Sequence, residues 1–387
     1  MRRISRRAFL LLFVQLFTIG FGFGKERRDS KYLLYVGTYT TNGSKGIYSY
    51  SFDPRSGQLG ALGVAGETVN PSFLAVDPSS RFLYAVNEVP KYNDESSGGV
   101  SAFAMDRATG KLSLLNEVGS GGADPCYVAL DKTGKYVLVA NYTGGSVAVF
   151  PVQHDGSLGA ATAFVQHKGS GPNKERQDGP HAHWIETTPD NRFAIAADLG
   201  LDELVVYNFD ASNGTLAPND PPFAKVEAGA GPRHLAFHPN GRFAYVINEL
   251  QSTVSAFSYD AEHGRLNSLQ TISTLPKDFS EHNDSAEIEV HPSGKFLFAS
   301  NRGHDSIAVF AIDLSKGTLH LVDNFSTKGR TPRSFVIDPT GLWLLAANQN
   351  TGNIVVFRID KRTGRLTASG QEAKVPSPVC LKFLTAR

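Results

Sequence analysis

Pro232-Arg233-His234-Leu235-Ala236-Phe237-His238-Pro239-Asn240-Gly241-Arg242-Phe243-Ala244-Tyr245-Val246-Ile247-Asn248 decides the fold, because its plan returns along the chain. A Pro opens a short apolar strand, and a His-Pro turn closes it. A Gly-Arg-aromatic step then opens a second apolar strand, which ends in Asn. A third strand, Thr253–Phe257, and a Gly-x-Leu step at Gly264–Leu266 complete the unit. Equivalent turn anchors stand at Asp77-Pro78, Asp131-Lys132, Thr188-Pro189, His238-Pro239, His291-Pro292 and Asp338-Pro339, 47 to 57 residues apart. Gly134, Asn191, Gly241, Gly294 or Gly341 follows the anchor, with Ser80 in the remaining repeat. Gly and Asn supply the positive φ of a tight turn. The third strands, among them Ser146–Phe150, Ser306–Phe310 and Asn353–Phe357, alternate as half-buried strands should.

A repeat of ~40–50 residues made only of strands implies a β-propeller. In six repeats the four strands are consecutive, and a seventh is split. Residues 32–62 supply its last three strands, and Ser377–Phe383 reads as a first strand without a blade of its own. That segment is expected to join the N-terminal blade, closing the ring and removing an open sheet edge. The expected fold is therefore all-β, a seven-bladed β-propeller forming a single domain over 32–387. Two β-sandwiches would leave the fixed strand order unexplained.

At 387 residues and a net charge of +1, nothing points to a nucleic-acid partner. Residues 1–24 stand apart. Arg2, Arg3, Arg6 and Arg7 precede the apolar run Phe9–Phe23, the layout of a secretory signal. Ser5-Arg6-Arg7-Ala8-Phe9-Leu10 resembles the twin-arginine export motif. The expectation is a periplasmic or extracellular protein with no stable membrane insertion once the signal is removed; retention of the run as an anchor is the alternative. Cys126 and Cys380 fall in first strands of blades that are not neighbours, so both read as buried thiols rather than a disulfide.

Aligned on the anchors, the residue after the blade-starting Pro runs Ser72, Cys126, His183, Arg233, Ala286, Arg333 and Val379. The next position runs Phe73, Tyr127, Trp184, His234, Glu287, Ser334 and Cys380. In a propeller these positions line the channel. The polar residues crowd into blades four to seven, an asymmetry that a purely structural repeat would not require. After the Asn or Asp that ends each second strand, Glu249 and Arg302 add charge on the same blades. The Asn residues themselves read as turn caps, and His238 and His291 as parts of their turns.

His181 and His183 share one side of a strand. With His234, Glu249 or Glu287 they could hold a metal, but the arginines would repel a cation. Proton transfer suits histidine better. Arg233 and Arg333 match a carboxylate or phosphate, or an internal pair with Glu249 or Glu287.

Gly179-Pro180-His181-Ala182-His183, Gly229-Ala230-Gly231-Pro232-Arg233-His234, Val246-Ile247-Asn248-Glu249 and Ala299-Ser300-Asn301-Arg302-Gly303-His304-Asp305-Ser306 resemble signatures of the seven-bladed propeller lactonases. That family includes propeller-type 6-phosphogluconolactonases and is related to carboxy-cis,cis-muconate cyclases. The resemblance covers residues 32–387. It implies a lactone hydrolase, 6-phosphogluconolactonase-like, that opens a sugar-type lactone with neither metal nor cofactor. It implies His183 (or His181), Arg233, Glu249 and Arg302 as catalytic residues, and Glu249 or His183 is expected as general base. His181, His234, Glu287, Arg333 and His304 are expected to bind or orient a small-molecule lactone. Two other readings stay open: a non-catalytic exported propeller that binds a carbohydrate or protein, and a muconate-cyclase-like isomerase.

Overall fold

The computed structural model describes residues 31–384. The leader read at 1–24 lies outside the described residues. Every regular element among them is a β-strand, and the strands form seven four-stranded antiparallel sheets. The inner strands are Pro378–Leu384, Leu74–Val76, Pro125–Leu130, Ala182–Thr187, Pro232–Phe237, Asp284–Val290 and Pro332–Ile337, for blades one to seven. Each touches the next around the ring.

Closure is as expected. Strand Pro378–Leu384 pairs with Tyr32–Thr38, with Leu33 opposite Leu384, and so becomes the inner strand of the N-terminal blade. Of the ring's strand edges, this pairing covers the one that chain order alone would leave open.

Each turn anchor holds the corner between first and second strands. Asp338 Oδ1 accepts the backbone N–H groups of Leu342 and Trp343, and Asp77 and Asp131 do the same in their blades. His238 and His291 hold their turns differently. Each accepts a backbone N–H at Nδ1 and donates from Nε2 to the next blade's turn, at Gly294 and Gly341. Gly294 has a φ of 71°, and a Cβ there would lie 2.7 Å from the His238 ring. Both demands select glycine. Ser80, in the repeat that lacks Gly, takes a φ of 58° all the same.

The third strands depart from the expected alternation. Ser146–Pro151, Ser306–Ile312 and Asn353–Ile359 are buried along nearly their whole length. Each blade is stacked between two others, so both faces of its middle strands are covered. The Val/Ala/Phe alternation records side-chain size rather than exposure. The outermost strands, such as Leu366–Lys374, are exposed along most of their length.

Candidate active site

The inner strands carry a shared irregularity. Pairing with the second strand skips Cys126, His183, Arg233 and Arg333, and a similar shift occurs at Ala286 and Glu287. One residue is thus bulged out of the ladder. A bulge re-aims a side chain, and here it brings consecutive residues of one strand into the channel. Arg233 and His234 are both buried there, at 2% and 3% exposure.

The bulged residues face the end of the channel where first strands begin. Glu249 is the hub. Its Oε2 lies 3.0 Å from Arg233 Nε and 2.8 Å from Arg302 Nη2, and its Oε1 lies 2.6 Å from Arg176 Nη2. The Arg233 Nε–H is off the hydrogen-bond line, so that contact is an ion pair only. Backbone carbonyls fix the guanidiniums further: Ala286 O receives Arg233, and Asp284 O and Ser285 O receive Arg302. Burial raises the Glu249 carboxyl, but Arg302, Arg233 and Arg176 outweigh it and hold the pKa well below the usual range. Burial, then repulsion from Arg333 and Arg302, pushes Arg233 down to about 10, leaving it cationic at neutral pH.

His183 sits beside this hub. Its Nδ1 is 3.6 Å from Cys126 Sγ, and its ring meets Tyr142 and His234 edge-on at 5.5 and 5.3 Å. Burial and then the Arg233 charge keep its pKa well below the ordinary value, so the imidazole is neutral. His181 stacks on Tyr142 at 4.5 Å and contacts Tyr142 O through Nδ1 at 3.0 Å. The two histidines thus converge on one tyrosine, as their spacing suggests. Arg333 lies across the ring over Tyr39, whose hydroxyl bonds Glu88. Among the described residues, no carboxylate comes within 4.0 Å of Arg333 in an ion pair.

Of the other expected site residues, His234 borders the hub, with Nε2 3.2 Å from Arg233 Nη1, whereas Glu287 and His304 lie outside it. His234 and Glu287 pair with each other at 2.9 Å, His234 as a member of a layer of aromatic rings and Glu287 beyond that layer. Phe73 and Tyr127 stack at 4.1 Å, and both meet His234, at 5.6 and 5.1 Å. Phe73 and His234 stand in blades two and five, so their contact spans the channel. Arg233 stays on one side of the layer, and Glu287 lies on the other. His304 bonds Ser306 and packs against Phe279 rather than joining the Glu249 hub.

The repeat alignment missed Arg176, Tyr142 and Tyr39. Arg176 sits on the connection between blades three and four, which no repeat position fixes. Tyr142 occupies the position equivalent to Glu249 and Arg302, directly after the capping Asn141. That equivalence was the signal available. The Asn residues do act as caps; Asn141, for example, donates to Ser120 O and Ser146 Oγ. Cys126 and Cys380 are free and buried. Among the described residues, no three His, Cys, Asp or Glu side chains converge as metal donors, and no helix is long and apolar enough to cross a membrane.

The family model for lactonases of the seven-bladed β-propeller type matches residues 33–383. The chain belongs to this lactonase family. A 6-phosphogluconolactonase of Bacillus subtilis (strain 168) is 42% identical over 355 residues, covering 92% of this chain and 99% of its own. A 6-phosphogluconolactonase of Formosa agariphila is 37% identical over 357 residues, covering 91% and 99%. The solved structure of a periplasmic gluconolactonase from Pseudomonas aeruginosa superposes with a TM-score of 0.86 at 36% identity, covering 92% of this chain and 99% of that one. The propeller-lactonase reading of the four motifs therefore holds, and the protein is a lactone hydrolase.

Proposed function

We propose that the protein is an exported lactonase that opens an aldonolactone of the gluconolactone type at the Glu249 hub. One observation carries this reading: three guanidiniums, from Arg176, Arg233 and Arg302, surround a single carboxylate. Asp284, 3.8 Å from Arg176, adds a second negative charge, but two carboxylates still leave one of the three guanidiniums unbalanced, so the site is built to receive another anion. In lactone hydrolysis that anion is first the tetrahedral oxyanion and then the product carboxylate. Fixed cations in a buried site stabilise such charge without reorganising.

Water attacks the lactone carbonyl carbon while its carbonyl oxygen turns toward Arg233 and Arg302. Neutral His183 takes a proton from that water, and the imidazolium returns it to the ring oxygen as the acyl C–O bond breaks. The product is an open-chain hydroxy acid. Glu249 positions the guanidiniums rather than serving as the base, because both its oxygens are occupied by guanidiniums. Arg333 and His181 bind and orient the substrate from the rim. The basic, apolar leader at 1–24 and the periplasmic relative both support export, and Arg6-Arg7 within that leader favours the twin-arginine route. Outside the cytoplasm an unphosphorylated lactone is the substrate to expect.

The test is pH-stat hydrolysis of D-glucono-1,5-lactone and its 6-phosphate by the mature chain, with and without chelator, beside Arg302→Ala. Chelator-resistant turnover of the plain lactone that collapses in the variant supports the reading. Turnover unaffected by Arg302→Ala, or none on either lactone, sinks it; the second result returns the hub to a ligand-binding role.

A further inference from the structure

A cavity of about 520 Å³ opens at the end of the channel opposite the hub, where the turn anchors lie. The volume suits a small molecule, for which pockets of roughly 300–1,000 Å³ are usual. Its inner wall is the far side of the aromatic layer, with Phe73, Tyr127 and Trp184; its sides carry Glu186, Glu287 and Lys382. None of these joins the Glu249 hub.

The polar groups here are left partly open. Glu287 is 9% exposed and spends Oε1 on His234 and on the Ile288 N–H. Among the described residues its Oε2 has no hydrogen-bond partner. Lys382 lies 4.7 Å over the Phe73 ring, and no carboxylate among the described residues reaches within 4.0 Å of its ammonium. Glu186 accepts the Tyr127 hydroxyl at 2.5 Å and keeps Oε2 only loosely engaged by Lys132, at 3.9 Å. Buried polar groups are normally satisfied. Here open acceptors and an open donor face the same space over aromatic rings. Hydroxyl groups answer both, and a sugar's C–H face answers the rings. The charges of Glu186 and Glu287 balance those of Lys132 and Lys382. Burial, then the Glu287 charge, pushes Glu289 up to about 8, so it adds a proton donor rather than a third charge.

We propose that this cavity is a second binding site, separate from the lactonase hub, for a neutral polyhydroxylated ligand of mono- or disaccharide size.

Trp184 is one of two tryptophans, and Trp343 sits in blade seven with its Nε1–H on Pro54 O. Trp343→Phe therefore makes Trp184 the sole reporter. The experiment titrates D-glucose and maltose against this variant by fluorescence and against the unaltered chain by calorimetry. The expected result is saturable binding that survives Arg302→Ala. Lys382→Met and Glu186→Gln, on different blades, should each weaken it about tenfold, the loss of one charge-assisted hydrogen bond. Lactone turnover by these two variants checks their fold. Binding abolished by Arg302→Ala, binding indifferent to both cavity variants, or no saturable binding of either sugar overturns the proposal.

Discussion

The two ends of the channel are built from the same inner strands yet hold opposite chemistry. At one end a carboxylate is surrounded by arginines and loses its basicity. At the other, carboxylates crowd together and one of them keeps its proton. A single layer of rings, Phe73, Tyr127, Trp184 and His234, stands between them. The lesson is that the end of the channel a carboxylate faces, and the charges it meets there, set its protonation more strongly than residue type does.

The largest expected effect tests the arginine end. Arg233→Ala should lower lactone kcat about 10²–10³-fold, the usual loss on removing one oxyanion donor. Steady-state pH-stat kinetics would show it, and an unchanged kcat would erase the functional contrast between the ends. Next comes the carboxylate end. An unfolded Glu titrates near ~4.3, whereas folded Glu289 titrates at about 8. Between those values the unfolded chain releases a proton that the folded one keeps, so Glu289 makes stability fall as pH rises toward 8. Glu289→Gln should remove that slope, at ~1.4 kcal/mol per unit of pKa difference. Thermal unfolding at pH 5 and pH 8 would sharpen or break this half of the comparison.

Glu249 has the opposite sign. Its depressed pKa adds stability above ~4.3 that is lost as pH falls through the folded value. Glu249→Gln should therefore flatten the acid limb of an unfolding-versus-pH curve. Arg176→Ala, at the half-exposed rim, should raise KM about tenfold with a smaller change in kcat, as for a lost hydrogen bond to a charged group. His304→Ala is the smallest: activity within about twofold, because its contacts with Ser306 and Phe279 lie outside the Glu249 hub.

Much of this was legible from residues alone. The anchors, the positive-φ turn positions and the Asn caps each carry a local mechanism, so the repeat announced itself. The split blade was legible because Ser377–Phe383 had no partner nearby. The hub was half legible: Arg233, Glu249 and Arg302 stood out as charges that the repeat does not require. Which side of the ring layer each residue faces was not. Arg233 and Glu287 occupy adjacent columns of the alignment, which do not record the end of the channel each one faces. Arg176 was illegible because a loop outside the repeat delivers it. The both-sided burial of the third strands was missed because alternation in size and alternation in exposure look alike in sequence.

Ring closure also sets an order of events. Leu33 and Leu384 face each other across one ladder, although nearly the whole described chain lies between them. A growing chain cannot make that contact until its last strand has emerged. Until then the N-terminal blade keeps its channel-facing strand edge bare, and pairings so distant in sequence form slowly. Lys382 arrives on that strand. The far cavity is therefore the last part of the channel to exist, and a chain cut short by a few residues would carry an arginine hub in an unfinished ring, with a bare edge for other chains to add to.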